Sequence, residues 1–417
     1  MIRPAIMFCT TALAFSQTVA AEELITRGPT EVVDVMDLPS RDLTLTPVVE
    51  GLDAPWAFAW LPGGDILVTE QFGTLRLVQD GALHPEPIAG LPEVFGSGQG
   101  GLLDVSPHPD FEDNRYVYLS YAHGTEEGNR LRVARGQLND HRLDDVEVIF
   151  EVSQTKDGSQ HFGSRFLWLP DGTLLVSVGD GGNPPRAYGG SFIREQAQNL
   201  DSHLGKVVRI NADGSVPSDN PFADRPDVRP EVWSYGHRNI QGLALDPVSG
   251  RVFASEHGSQ GGDELNRVEP GENYGWPLAT YSVEYGPERR LITPHQALPG
   301  MQDPIAVWSP RIAPSDQVIY TGEVYPDWTG NLFLTGMVVG QRPNPDAPSN
   351  PGALLRVELD DSGAVVLQER LSIGDLRVRG VEQGPDGYLY ILTTDPEAFR
   401  SPGGFNGALW RIEPFAE

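Results

Sequence analysis

The stretch His161-Phe162-Gly163-Ser164-Arg165, followed by Leu169-Pro170-Asp171-Gly172-Thr173-Leu174-Leu175-Val176-Ser177-Val178-Gly179-Asp180-Gly181-Gly182, reads as two short apolar strands joined by a Pro-Asp-Gly turn. A tight turn makes the two strands antiparallel neighbours and brings their far ends to one edge of the sheet. His161 lies just before the first strand and Asp180 just after the second. The two are therefore expected side by side, as a base next to a carboxylate. A lone histidine is more often a packed or surface group; the aspartate beside it turns the reading toward chemistry.

The same unit recurs along the chain, and repeats decide the fold. It runs from Ala57 to Thr69, from Leu102 to Ser120, from His161 to Asp180, from Gly242 to Ser255, from Val318 to Leu334 and from Gly380 to Leu392. Each copy is followed by a third strand: Leu75–Val78, Leu131–Ala134, Val207–Ile210, Leu265–Val268, Leu354–Val357 and Leu409–Ile412. Antiparallel strands at this spacing fit an all-β fold, a β-propeller in which each small sheet is a blade around a central channel. Six copies imply six blades. Leu43 to Val49, ahead of the first copy, is expected to supply the outer strand of the last blade and close the ring. The propeller then covers 43–417, after an N-terminal extension over 22–42.

Composition agrees. The 417 residues include 47 Gly and 36 Pro, which favours turn-rich β-structure over helices. Residues 1–21 read as a secretory signal: Arg3 gives a positive start, Ala5 to Ala14 is mostly apolar, and Val19-Ala20-Ala21 offers a small-residue cleavage site. The apolar run is too short for a membrane span. Cys9, the single cysteine, falls inside this segment but lacks the small neighbours of a lipidation site, so the processed chain has no cysteine. A periplasmic or secreted location is expected. The net charge of −28, from 58 acidic and 30 basic residues, argues against nucleic acid or an anionic membrane surface as partner.

On the propeller, loops before the first strand or after the second of each unit open on one face of the disc. Gln99, His161, Asp180, His237-Arg238-Asn239, Glu256-His257-Gly258-Ser259, Arg377 and Arg379 all fall on such loops. Their convergence at one channel mouth predicts a binding site there. Arg377 and Arg379 flank Val378. They form either a solvated strand edge or a pair of guanidinium forks for an anionic ligand.

These segments, with Gln198-Asn199-Leu200, Trp233 to Gly242, Gly262-Asp263-Glu264-Leu265-Asn266 and Asn273-Tyr274-Gly275-Trp276-Pro277, resemble the soluble pyrroloquinoline-quinone-dependent aldose sugar dehydrogenases. This is the glucose/sorbosone dehydrogenase group, and the resemblance runs from about Gly51 to Ile412. It implies an oxidoreductase that takes an aldose at C1 to the lactone and passes the hydride to the quinone. The physiological electron acceptor is left unspecified. By the same resemblance, His161 is the general base and Asp180 its orienting carboxylate. Gln99, Arg238, Asn239, Arg377 and Arg379 bind the quinone. The backbone carbonyls of Gly258 and Ser259 hold a cofactor-bound calcium, and Glu264 and Tyr274 help to hold a second, structural one.

Two positions depart from the family pattern. Val338 stands where the family usually has a quinone-contacting lysine, with Arg342 in the following loop as a candidate replacement. Ser259 stands where relatives often have proline. Two other readings compete: a calcium-dependent lactonase-type propeller, which needs side-chain carboxylates around a central metal, and a non-catalytic propeller that has lost the quinone.

Overall fold

In the computed structural model, the described residues are 26–182, 186–340, 352–394, 402–404 and 406–414. The signal segment, Cys9 and Arg342 lie outside them. Each repeat forms an antiparallel sheet of four strands in sequence, with its first strand innermost. The innermost strands are Pro55–Trp60, Leu102–Pro107, Gly163–Trp168, Ile240–Leu245, Pro314–Ile319 and Val378–Gln383. Each contacts the next, and the sixth contacts the first, so the ring of six blades closes around a channel. The sixth blade takes three strands from the C-terminal end. Its outer strand is Leu45–Leu52, paired antiparallel to Gly407–Ile412, slightly later in the chain than expected.

The N-terminal extension is part of the same body. Val32–Val33 adds a parallel fifth strand to the outer edge of the fourth blade, against Val307–Trp308. Ser40–Asp42 does the same on the fifth blade, against Arg370–Ser372. Both open edges are thereby covered.

All six blades carry an irregularity at the same place, near the start of the innermost strand: between Pro55 and Ala57, Leu102 and Val105, Gly163 and Phe166, Ile240 and Gly242, Pro314 and Asp316, and Val378 and Gly380. A bulge leaves a backbone N–H outside the ladder. A hydroxyl on the second strand meets it. Thr69 Oγ1 accepts from the Ala57 N–H at 3.0 Å, Ser120 Oγ from Asp104 at 2.9 Å, and Ser177 Oγ from Arg165 at 2.9 Å. The same three hydroxyls donate to carbonyls of the following blade, at Leu103, Ser164 and Ile240. One Ser or Thr thus repairs the bulge and stitches two blades together.

The bulges turn polar side chains onto the channel axis. Arg165, on the third blade, is buried there and reaches every other blade. Its Nε donates to the Gln241 carbonyl at 2.7 Å. Its terminal nitrogens meet Asp104 Oδ1 at 3.3 Å, Asp316 Oδ1 at 3.6 Å and the carbonyls of Ser315 and Arg379, while its carbon end lies 4.3 Å from the Trp56 ring centroid. Removing one partner of a buried ion pair leaves a charge uncompensated, at a cost of about 3–5 kcal/mol. Here two carboxylates would be stranded. Arg165→Met is therefore expected to lower the unfolding free energy by at least that amount, read as a shift of the urea midpoint. An unchanged midpoint would show that the hub does not hold the ring.

Candidate active site

A cavity of about 380 Å³ opens at the channel mouth where the bulges begin. Gln99, His161, Arg238, Asn239, Gly258, Ser259, Arg377 and Arg379, eight of the residues singled out from sequence, line it. Asp180 sits behind His161, fully buried. Glu264 and Tyr274 line a separate, smaller cavity next to it.

His161 Nδ1 lies 2.6 Å from Asp180 Oδ1. Asp180 also accepts from the Gly182 N–H at 3.0 Å and from Trp276 Nε1 at 2.8 Å. Burial opposes the Asp180 charge. The adjacent His161, Arg238 and these donors outweigh it and hold the carboxyl below its usual range. Burial, helped by Arg238, pushes the His161 imidazolium down against the pull of Asp180. An ionised Asp180 beside a neutral His161 fixes the proton on Nδ1, leaving Nε2 as the acceptor. His161 adopts φ 52°, a left-handed conformation rare outside glycine. Gln99 Oε1 takes its backbone N–H at 2.8 Å and Asn239 Oδ1 takes that of Gly163 at 3.1 Å, which holds this strained corner.

The cationic side of the cavity has two kinds of arginine. Arg379 is committed to the scaffold: it donates to the Ser315 carbonyl at 2.9 Å and Gln241 Oε1 at 3.2 Å, and stacks 3.9 Å from the Trp56 centroid. Arg238 donates to the His257 carbonyl at 3.0 Å, but its Nε is buried with no hydrogen-bond partner. The channel's other end gathers carboxyl groups instead. There Asp104, Asp316 and Glu382 border a second cavity, where burial raises Asp316 to about 6 and Glu382 well above its ordinary value.

Gly258 and Ser259 offer backbone oxygens. The Gly258 N–H goes to Asp263 Oδ1 at 2.7 Å, and the Ser259 N–H to Ser282 Oγ at 3.0 Å. Ser282 is not part of the larger cavity's wall, and a planar trans peptide therefore turns the Gly258 carbonyl the other way. A Cβ at Gly258 would come within 2.2 Å of the Gly261 carbonyl, so only glycine fits. Beside the smaller cavity, whose wall includes Glu256 and Glu264, Asn266 Nδ2 bridges Glu256 Oε1 at 3.1 Å and Glu264 Oε2 at 3.4 Å. Burial and the Glu256 charge raise the Glu264 carboxyl well above its usual range. The Tyr274 hydroxyl already donates to the Arg267 carbonyl at 2.7 Å and accepts from the Glu269 N–H at 2.8 Å. Its main-chain carbonyl is the oxygen left for a cation. These oxygen donors suit a hard divalent ion such as calcium.

The sequence placed His257 at the mouth and Asp263 and Trp276 in conspicuous segments but assigned none of them a role, and Arg311 was missed altogether. Arg311 had a signal: it enters the fifth blade where Arg377 enters the sixth. Trp276 had none, because its link to Asp180 is purely tertiary.

A family model described as Glucose / Sorbosone dehydrogenase matches residues 52–399. The protein slr1608 of Synechocystis sp. is 49% identical over 402 residues, covering 94% of this chain and 92% of that protein. Aldose sugar dehydrogenase YliI of Escherichia coli is 35% identical over 352 residues, 82% of this chain and 88% of its own. The structure of the PQQ-bound form of aldose sugar dehydrogenase from Streptomyces coelicolor superposes with a TM-score of 0.69 at 28% identity, covering 90% of this chain and 99% of that one.

If Glu256 and Glu264 share a cation, added calcium raises the melting temperature of the wild-type protein, by mass action on the folded state. Glu264→Gln should abolish most of that increment while folding normally in EDTA. Equal calcium shifts in both proteins would remove Glu264 from the site.

Proposed function

Since the chain belongs to the glucose/sorbosone dehydrogenase family, we propose that it oxidises aldose sugars at C1 to lactones, using pyrroloquinoline quinone and calcium with His161 as the general base. The observation that carries this reading is the buried His161–Asp180 pair facing an arginine-lined cavity. The secretory reading of residues 1–21 supports a periplasmic or secreted location for this activity.

The residues fit the cofactor. A ligand with several carboxylates matches a wall holding Arg238 and Arg377 beside the scaffold-bound Arg379, and the orphaned Arg238 Nε lacks only an acceptor. The carbonyls of Gly258 and Ser259 would hold its calcium. When bound, the quinone accepts the sugar's C1 hydride, its carbonyl polarised by calcium as a Lewis acid. The protein's own part is proton handling and positioning. His161 Nε2 takes the proton of the anomeric hydroxyl as the C1–O double bond forms. Asp180 stabilises the imidazolium that results, and Trp276 and Gly182 keep Asp180 in place. Burial of the pair excludes water as a competing acceptor.

The lactonase reading requires clustered metal-binding side chains. Among the described residues, no three His, Cys, Asp or Glu form such a group. The intact base–carboxylate pair disfavours a non-catalytic propeller.

Purified protein reconstituted with pyrroloquinoline quinone and calcium should reduce an artificial dye when an aldose is added. No turnover with any aldose, despite bound quinone, would refute the activity. His161→Ala should cut turnover by about 10²–10⁴-fold. The depressed His161 pKa puts the acid limb of kcat/KM below the ordinary histidine value of about 6.5. Asp180 favours the protonated ring, so Asp180→Asn should lower the rate and move that limb to still lower pH. A limb that moves upward would mean another group is titrating.

A further inference from the structure

We propose that Arg311 is a carboxylate-binding residue of the cavity, gripping the cofactor from the loop that enters the fifth blade. This rests on the quinone reading above. It adds a cation that neither the sequence motifs nor the comparisons assign.

Arg311 lines the same cavity as His161, Arg238 and Arg377. Its backbone is fixed on three sides. Asp263 Oδ2 accepts the N–H groups of Ile312 and Ala313, both at 2.7 Å. The Gly340 N–H donates to the Arg311 carbonyl at 2.8 Å, and that of Val338 to the Ile312 carbonyl at 3.2 Å. Ala313 adopts φ 52°, and the turn so made leads straight into the innermost strand. Asp263 also holds Gly258, so one buried carboxylate sets the calcium loop and the Arg311 loop together.

The guanidinium itself is underused. Its Nε is buried with no hydrogen-bond partner, and among the described residues the side chain makes no ion pair. Asp263, the carboxylate that senses it, already accepts three backbone N–H groups. Arg379, by contrast, has both terminal nitrogens bonded. A buried donor without an acceptor costs free energy unless a ligand supplies one. A fork held on fixed backbone beside a ligand cavity matches a planar carboxylate. Val338 lines the same wall and brings no charge to it. Arg311 therefore stands in for a cation at that position.

Quinone affinity of the full chain, titrated in calcium by quenching of tryptophan fluorescence, tests this without relying on turnover. Arg311→Ala should raise Kd by about tenfold or more. Arg311→Lys, which keeps the charge but not the fork, should fall between. Arg311→Ala with Val338→Lys should recover affinity by restoring a cation to the same wall. If Arg311→Ala misfolds by circular dichroism, Arg311→Gln carries the comparison. Wild-type Kd in the Ala and Gln variants would overturn the assignment while leaving the quinone reading intact. A wild-type protein that takes up no quinone would overturn both.

Discussion

The ring depends on the single guanidinium at its centre. A propeller blade pairs with its neighbours through apolar faces, which resist separation but do not fix rotation about the axis. Arg165 does what those faces cannot. It is planar and rich in donors, and it meets carbonyls or carboxylates of the second, fourth, fifth and sixth blades and the aromatic face of the first. Its burial is tolerable because every side is answered by an acceptor or a π-face. The bulge that frees its N–H for Ser177 also points its side chain inward. The six bulges are thus the device by which a sheet architecture gains a polar axis.

That axis carries different groups at its two ends. Trp56 lies against both Arg379 and Arg165. Arginines border the cavity at one mouth, and Asp104, Asp316 and Glu382 gather at the other. An anionic ligand is drawn to the arginine-lined end. Burial, helped by Arg238, keeps His161 neutral, as a base must be, while His161, Arg238, Gly182 and Trp276 hold Asp180 in its charged form. Arg238 therefore bears on both binding and proton transfer.

Much of this was legible in the chain because β-sheets write their pairing locally. The repeat of strand, turn and strand exposed the six blades, and the entry-loop positions of His161, Arg238 and Arg377 exposed the cavity. The closing strand was placed within a few residues. Interactions that join distant blades were not legible. Nothing around Trp276 announces that its indole holds Asp180, and nothing around Asp263 announces that it anchors two loops. The Ser and Thr residues that stitch blades look like ordinary strand residues until the bulges are seen. Tyr274 shows the limit of residue-type reasoning: its identity does not reveal that its hydroxyl is already bonded to the Arg267 carbonyl and the Glu269 N–H.

The pairing of Leu45–Leu52 with Gly407–Ile412 has a consequence for how the molecule comes into being. The first strand of the ring and the last belong to one sheet, so that sheet cannot form until nearly all of the chain is present. Loop-closure entropy grows only slowly with length, which makes so long-range a contact thermodynamically tolerable but kinetically late. Blades one to five can assemble in order from local contacts. The sixth waits, with the edge of Gly407–Ile412 unpaired until the N-terminal strand returns to it. A chain made and folded progressively would hold an open crescent for most of its synthesis; one delivered whole to its compartment meets both ends at once.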